Sequence, residues 1–177
     1  VKPGARNRIY KFVKDQLAKG RQAYVVCPLI EESDSLDAKS AVETAENLKR
    51  QYLEGISVGL LHGRMKQDEK DEVMYRFKNG EIDVLVSTTV IEVGIDVPNA
   101  ALMIVENADR FGLAQLHQLR GRVGRGSDKS YCILISSMDT DESMQKMKIM
   151  VDESDGFKIA EKDMELRGTG EFFGTRQ

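Results

Sequence analysis

Five short runs of apolar residues recur along this chain, and they limit its possible fold more than any other feature. They are QAYVVCPLI (22–30), SVGLL (57–61), DVLVST (83–88), AALMIV (100–105) and SYCILI (130–135). Continuous apolar runs, in place of an alternation of apolar and polar residues, are typical of strands that are buried on both faces of a parallel sheet. We therefore expect these runs to form a parallel sheet with helices on both of its faces.

Helical segments alternate with the apolar runs. Apolar residues recur at helical spacing at 6–19, 36–52 and 66–79, and again from about Ala114 onwards. Gly55 follows one of these segments and Gly80 follows the next, and both are expected to end them. The sequence therefore predicts an α/β fold with a doubly wound parallel sheet.

The predicted alternation of strands and helices ends at about residue 137. The part before this point (1–137) is expected to form the α/β domain, and the part after it (138–177) a helical hairpin with a glycine-rich tail. The first helix of the hairpin is expected to present Met144, Met147 and Val151 on one face.

Composition excludes several classes of protein. The 41% of hydrophobic and 31% of charged residues are typical of a globular protein, and no apolar run approaches the ~20 residues that cross a bilayer. Cys27 and Cys132 lie in apolar runs, which indicates buried thiols in a reducing cytoplasm. The two histidines lie far apart without paired cysteines, so we expect no metal site. The sequence ends at Gln177 without a stop signal, so we expect a fragment of a longer protein.

No motif in the chain predicts chemistry that it could perform alone. It contains no G-x-x-x-x-G-K-[ST] loop for a triphosphate, no G-x-S-x-G elbow and no H-E-x-x-H pair. Acidic residues are plentiful, but they lie on predicted helix faces. We therefore expect any catalysis to need a partner.

The stretch QLRGRVGRG (118–126) concentrates arginines in a chain whose formal net charge is -3. If the preceding helix continues through it, Arg122 and Arg125 share one face and Gln118 lies one turn before Arg122. Two planar guanidinium groups that converge on one oxyanion, with a carboxamide beside them, are typical of a polyphosphate site. We expect these arginines to be exposed until a partner supplies the anion. The alternative is that they pair with helix carboxylates on the surface.

The stretch STTVIEVGIDVPN (87–99) predicts a second polar site where a buried strand ends. The residues after Thr88 have the capping-box spacing of a short helix, whose free N–H groups could bind phosphate, and Thr88 adds a hydroxyl. Gly94 and Asp96 follow in a turn. Asp96 could accept hydrogen bonds from a ribose or, alternatively, form an Asx-turn before the proline.

The stretch LHGRM (61–65) also follows an apolar run directly. His62 and Arg64 could contact nucleic-acid phosphates, and Gly63 would allow a close approach. The alternative is a loop that only caps the next helix. Because both loops follow parallel strands, we expect them at the same edge of the sheet, where open α/β sheets bind ligands.

These stretches resemble a known family. STTVIEVGIDVPNA resembles motif V, and QLRGRVGRG resembles motif VI, of the superfamily 2 helicases. The longer stretches RFGLAQLHQLRGRVGRG, GRQAYVVCPLIEESDSLDAKSA and DGFKIAEKDMELRGTGEFFGTRQ are similar to the RecG family of these helicases. The resemblance covers essentially the whole chain. It implies the RecA-like, P-loop NTPase-like fold of a second helicase lobe with a C-terminal helical hairpin.

The resemblance implies roles at a nucleotide. Arg122 and Arg125 correspond to the motif VI arginines that reach the γ-phosphate of ATP, with Gln118 beside them. Gly94 and Asp96 correspond to motif V residues near the nucleotide. ATP with Mg²⁺ would be held mainly by a first RecA-like lobe outside this chain.

The resemblance also implies contacts with DNA. Thr88 corresponds to the motif V hydroxyl that holds the DNA backbone, and His62, Gly63 and Arg64 correspond to a DNA-facing loop. The 138–177 segment resembles a translocation motif that converts lobe closure into DNA movement, with polar positions at Arg167, Arg176 and Gln177.

The chain departs from the family pattern at two positions. Lys146 stands where the first hairpin helix usually has arginine, and lysine cannot reproduce a bidentate guanidinium network. Thr169 stands where proline is usual in the tail, which would loosen that turn without removing a charge.

The function implied by the resemblance is an ATP-dependent DNA helicase that remodels branched double-stranded DNA, such as stalled forks and Holliday junctions, in replication-coupled repair and recombination. Its partners would be this DNA, the first lobe and an N-terminal wedge domain of the same chain, without a membrane, in the bacterial cytoplasm at the nucleoid. The chain alone is expected to be inactive. Two alternatives are a transcription-repair coupling translocase and a nucleic-acid-binding module that does not hydrolyse ATP.

Overall fold

A computed structural model describes residues 5–28, 34–88, 97, 99–123, 129–136 and 140–152. Within these residues a parallel sheet has the strand order β2-β3-β1-β4-β5. The strands are β1 (Gln22–Val26), β2 (Val58–Leu61), β3 (Val84–Ser87), β4 (Ala100–Val105) and β5 (Tyr131–Leu134). The helices are α1 (Arg6–Ala18), α2 (Asp34–Gln51), α3 (Gln67–Lys78), α4 (Leu113–Arg120) and α5 (Asp141–Asp152), with a 3₁₀ turn at Ala108–Arg110. Each predicted apolar run contains a strand, so the predicted α/β sheet is confirmed.

The central strands are buried throughout, whereas the edge strands are half-buried. β1 pairs in parallel with β3 on one side, where Ala23 lies opposite Val84, and with β4 on the other, where Ala23 lies opposite Leu102. All residues of β1, β3 and β4 are buried, but only the last residue of β2 and of β5 is. An edge strand has a neighbour on one side only, which explains its greater exposure.

Helices cover both faces of the sheet and enclose two apolar cores. On one face α1 and α2 contribute side chains such as Val13 and Leu48. On the other face α3, α4 and α5 contribute Phe77, Leu116 and Met147. Burying one such large apolar side chain stabilises the fold by ~1.5–3 kcal/mol, so the apolar stripe of each helix is what attaches it to the sheet.

The buried face of α5 differs from the prediction in one residue. Met147 is 5% exposed and Met144 packs against the core, as predicted, but Val151 is 80% exposed and Met150, at 4%, is buried instead. The buried positions Ser143, Met147 and Met150 recur at intervals of four and three residues. That spacing follows the helical period and directs the next residue, Val151, away from the core.

The order of the strands reverses between β1 and β4. From β1 the chain continues to β2 and β3 on one side, crosses to β4, and ends at β5 on the other side. The strands are parallel, so the segments that follow them meet at one edge, and ligands of open α/β sheets bind outside this edge.

Three properties of the described ranges concern membranes, metals and thiols. No helix there has both the length and the apolar character to span a bilayer. No group of three or more histidine, cysteine or acidic side chains is placed there to hold a metal ion. Cys27 and Cys132 are free thiols, and burial raises the pKa of each to about 12, so both are neutral at pH 7.

Candidate functional site

A backbone hydrogen bond joins the segments after β2 and β3 at the C-terminal edge of the sheet. The N–H of Thr88 donates to the carbonyl of Leu61 at 3.2 Å. Thr88 is 1% exposed, and its Oγ1 is buried without a hydrogen-bond partner in the described part of the chain. A buried hydroxyl without a partner is costly. Its missing partner therefore identifies Thr88 as a candidate ligand-binding group.

The residues after Leu61 form a tight turn next to Thr88. The Nδ1 atom of His62 accepts a hydrogen bond from the N–H of Arg64 at 3.2 Å. Gly63 and Arg64 are exposed, whereas His62 is half-buried. The structure therefore brings all of the predicted DNA-facing residues, Thr88 and 62–64, to one place.

The turn also favours the neutral form of His62. Partial burial lowers its pKa, Glu69 raises it to a smaller extent, and Lys70 and Arg64 add to the lowering. The hydrogen bond from Arg64 has the same effect, because only an unprotonated Nδ1 can accept it. The Nε2 atom then carries the proton and is a hydrogen-bond donor.

We expect the imidazole of His62 to titrate below the ordinary histidine pKa of 6.5. Because the folded state favours the neutral ring, the contribution to stability is complete above pH 6.5 and is lost as the pH falls through the folded-state pKa. Titration of the imidazole C–H resonances by NMR measures this. His62→Gln assigns the signal, since the chain contains two histidines and the other is His117. A midpoint at or above 6.5 would contradict the geometry of the turn.

Helix α4 ends before most of the arginine-rich stretch, which corrects a prediction. Arg120 is its last residue, and Gly121 caps it. The chain continues as a tight turn, in which the N–H of Arg122 donates to the carbonyl of Leu119, three residues back. The helix therefore does not continue to Arg122, and the helical geometry considered for Gln118 and Arg122 does not apply. Glycine is a poor helix former, so the helix does not extend through this stretch.

The guanidinium group of Arg122 is less exposed than predicted. Arg122 is half-buried, and its Nε is buried without a hydrogen-bond partner in the described part of the chain. The chain leaves the helix at Gly121, so the side chain does not extend from the exposed face of α4. Gln118, in the last turn of α4, is exposed. A buried N–H on a group that is always charged requires an acceptor, and an anion would supply one.

Arg120 has a structural role that the sequence pattern does not reveal. Its Nη1 donates to the carbonyl of Met150 in α5 at 2.7 Å, and its Nη2 lies 2.9 Å from Nδ1 of His117. The bond to Met150 joins the last turn of α4 to α5, and the contact with His117 lies within α4. Arg120 therefore supports the fold, whereas Arg122 is the candidate for binding an anion.

Lys146, at the position where the family resemblance leads us to expect arginine, makes two hydrogen bonds to the rest of the fold. Its Nζ donates to the carbonyls of Asp109 and Phe111, both at 3.1 Å. A lysine ammonium has three donors on one atom, so two carbonyls suit it without the fork geometry of arginine. α5 is thereby attached to the segment before α4 as well as to the end of α4.

A buried charged cluster follows β4, and no motif in the sequence indicates it. Glu106, which is 7% exposed, accepts a hydrogen bond from Nη2 of Arg6 and another from the hydroxyl of Tyr10, both at 2.6 Å. Burial and, to a smaller extent, Glu106 raise the pKa of Tyr10 well above its usual value, so the hydroxyl remains a donor. Arg6 and Glu106 are 100 residues apart, so no local spacing could have indicated the pair.

The described site residues form two groups on different elements. Thr88 and 62–64 follow β3 and β2, while Gln118 and Arg122 lie at the end of α4, after β4, on the other side of β1. The remaining predicted residues lie outside the described ranges: Gly94, Asp96, Arg125, Arg167, Thr169, Arg176 and Gln177. Their roles stay predictions.

The helicase conserved C-terminal domain family matches residues 5–127 of this chain. The match covers more than half of the chain, so the chain belongs to this family.

Comparison with individual curated proteins gives a more specific relationship than the family match. The ATP-dependent DNA helicase RecG of Thermotoga maritima is 54% identical over 171 residues, which cover 97% of this chain and 22% of that protein. RecG of Bacillus subtilis is 51% identical over 177 residues, which cover 100% of this chain and 26% of that protein. The chain thus spans about a quarter of the length of these relatives.

Solved structures show the same relationship. A structure of RecG bound to a three-way DNA junction matches with a TM-score of 0.79 and 50% identity, over 97% of this chain and 22% of that chain. The C-terminal domain of the DEAD-box protein Dbp5 matches with a TM-score of 0.54 and 21% identity, over 97% of this chain and 82% of that chain, which shows the fold alone. The predicted RecA-like fold of a helicase C-terminal lobe and the resemblance to RecG are confirmed.

Proposed function

We propose that this chain is the second motor lobe of an ATP-dependent DNA helicase that remodels branched double-stranded DNA. The observation that carries the proposal is the buried Nε of Arg122, which has no hydrogen-bond partner among the described residues and lies within a stretch that resembles motif VI. The same chain has no G-x-x-x-x-G-K-[ST] loop. This lobe has an arginine that could bind a phosphate, but it lacks a loop that binds a triphosphate. Such a lobe is suited to complete an ATPase site whose other residues lie in a second lobe.

The proposed cofactor is ATP with Mg²⁺. A γ-phosphate oxygen would be an acceptor for Arg122, and the guanidinium would neutralise charge that develops there during phosphoryl transfer. Arg125 and Gln118 would contribute from the same stretch, and Gly94 and Asp96 would contact the rest of the nucleotide. As the resemblance implies, Mg²⁺ would be held mainly by the first lobe.

The proposed substrate is branched double-stranded DNA, as in the three-way junction bound by RecG. The hydroxyl of Thr88 lacks a partner in the described ranges, and a DNA phosphate could supply it. Gly63 and the exposed Arg64 lie beside it, and His62 offers an Nε2–H donor. Contacts with the phosphate backbone carry no sequence information, which suits a motor that moves along any DNA.

We propose the same division of the chain as the sequence predicts, with a motor lobe at 1–137 and a translocation motif at 138–177. α5 would be the first helix of that motif, and Arg167, Arg176 and Gln177 would supply its polar positions. The hydrogen bonds of Arg120 and Lys146 support a mechanical link between the two parts, because they attach α5 to the end of α4 and to the segment before it. A movement of the Arg122 turn would thus be transmitted to α5.

The proposed setting is replication-coupled repair and recombination at stalled forks and Holliday junctions. The partners would be the first RecA-like lobe and an N-terminal wedge domain of the same protein, in the bacterial cytoplasm at the nucleoid. The relatives that support this proposal are bacterial RecG helicases that are about four times as long as this chain.

ATP-dependent strand release from a three-way junction tests the proposal. The intact protein is expected to release a strand from the junction with ATP and to leave a linear duplex of the same sequence intact. Arg125→Ala is expected to abolish ATP hydrolysis and strand release while junction binding is nearly unchanged. Arg76→Ala is the matched control, because Arg76 is an exposed arginine whose Nε lies 3.8 Å from a carboxylate oxygen of Glu81.

Two results would contradict the proposal. Equal strand release from the junction and from the linear duplex would contradict the proposed preference for branched DNA. Equal losses of ATP hydrolysis and DNA binding in Arg125→Ala would mean that Arg125 contacts DNA and not the nucleotide.

A further inference from the structure

The outer face of α1 carries three exposed cations at regular spacing. Arg8, Lys11 and Lys14 are exposed and lie three residues apart, while Ile9 and Val13 of the same helix are buried. On an α-helix this spacing places Lys11 opposite the buried side, with the other two about 60° to either side of it. We call these three residues the α1 basic stripe.

The cations of the stripe are not balanced by neighbouring carboxylates. Within the part of the chain that the structure describes, none of the three forms an ion pair. Asp15 is four residues after Lys11, which is the spacing of a helical ion pair, yet it forms none either. The stripe therefore carries three cations that form no ion pair in the described residues, beside the exposed carboxylate of Asp15, in a chain whose formal net charge is -3.

The stripe also begins at the unfavourable end of its helix. A helix dipole favours acidic residues in the first turn and basic residues in the last. α3 follows this rule, with Asp68 and Glu69 in its first turn and Arg76 and Lys78 in its last. α1 has no acidic residue in its first turn, which contains Arg8, and no basic residue in its last. Charges placed against local stability are expected where a residue serves a function.

The fold places the start of the stripe at the C-terminal edge of the sheet. Arg6, in the first turn of α1, binds Glu106 immediately after β4, so the N-terminus of α1 lies at the C-terminal edge of the sheet. From there α1 runs back along the sheet to the start of β1. Lys11 and Lys14 border a cleft of about 380 Å³ between α1 and the end of α2, which the carboxylate of Asp15 and the carboxamide of Gln51 also line.

We propose that the α1 basic stripe binds backbone phosphates of duplex DNA, at a second contact surface separate from Thr88 and 62–64. The proposal rests on the proposed function of the chain as a DNA motor. The stripe spans about 9 Å along the helix, and a duplex presents roughly five phosphate charges over that distance. A phosphate backbone fits the stripe better than a protein surface, because protein interfaces are depleted in lysine and enriched in aromatic residues.

The salt dependence of DNA affinity tests the proposal in the intact protein. The dissociation constant for a three-way junction is measured over a series of salt concentrations for the wild type and for Arg8→Gln/Lys11→Gln/Lys14→Gln. We expect the slope of log affinity against log salt to become shallower by about 2.7, at about 0.9 for each lost phosphate contact.

A matched control removes the same charge elsewhere. Lys19, Lys49 and Lys78 are exposed, and each lies at or just after the C-terminal end of a helix, where a cation is favourable. The triple Lys19→Gln/Lys49→Gln/Lys78→Gln is expected to keep the wild-type slope within about 0.5, which is below one phosphate contact.

The outcomes separate this proposal from the function on which it rests. Equal slopes for the stripe variant and the wild type would overturn the stripe proposal and leave the motor function standing. A loss of thermal stability in the stripe variant with an unchanged slope would also overturn it, and would show that the stripe contacts an acidic surface of the protein. A wild-type protein that does not bind the junction would contradict both.

Discussion

Arg122→Ala is expected to lower the ATP turnover of the intact protein by about 10³–10⁵-fold, the range for loss of an arginine finger. The half-buried guanidinium has a buried Nε without an acceptor in the described ranges, and a γ-phosphate oxygen would fill that position. Without the guanidinium, the charge that develops on the transferred phosphoryl group is not neutralised from this lobe. Steady-state ATP hydrolysis at saturating DNA measures the effect.

Two controls separate this role from a structural one. Arg122→Lys keeps the charge but loses the planar fork, so we expect turnover to remain well below that of the wild type. Junction affinity is expected to stay within about threefold of the wild type in both variants, because an arginine that binds the nucleotide makes no contact with a DNA phosphate. A turnover within tenfold of the wild type in Arg122→Ala would contradict the assignment of Arg122 to the nucleotide.

Glu106→Leu is expected to lower the free energy of unfolding by about 3 kcal/mol, at the lower end of the cost of breaking a buried ion pair. The change leaves Arg6 and the hydroxyl of Tyr10 without their acceptor in a region where Tyr10 is fully buried. Arg6 is 31% exposed, so water can solvate it in part and the loss is smaller than for a fully buried pair. Urea unfolding of the lobe measures the change.

A graded series tests the cluster further. Glu106→Gln keeps an acceptor for Tyr10 and removes the charge, and Tyr10→Phe removes one hydrogen bond, so each is expected to cost less than Glu106→Leu. The pKa of Tyr10 is raised in the folded state, so its contribution to stability is complete below the ordinary tyrosine pKa of 10.0 and is lost as the pH rises above it. A loss below about 0.5 kcal/mol in Glu106→Leu would show that the cluster is not structural.

The parallel sheet could be predicted because its signal is local. Strands buried on both faces read as continuous apolar runs, and each run lies in one stretch of sequence. The central strands β1, β3 and β4 are buried throughout, in agreement with these runs. The same reasoning predicted the candidate DNA-facing loops, because parallel strands end at one edge.

Features that depend on distant parts of the chain could not be predicted. The partner of Glu106 is Arg6, 100 residues away, and the acceptor of Arg120 is a carbonyl of Met150. Nothing in the spacing of QLRGRVGRG distinguishes Arg120, which binds α5, from Arg122, which lies in the turn after α4. A helical interpretation placed Arg122 on one face with Arg125, but α4 ends at Arg120 and Gly121 caps it.

ATP hydrolysis by the isolated 177-residue chain, compared with the intact protein, tests the central claim most directly. The claim is that this lobe completes an ATPase site that another lobe begins. It predicts DNA-stimulated turnover by the intact protein and none by the chain alone. Turnover by the chain alone that disappears in its Arg122→Ala form would contradict the claim, because that control excludes a contaminating ATPase.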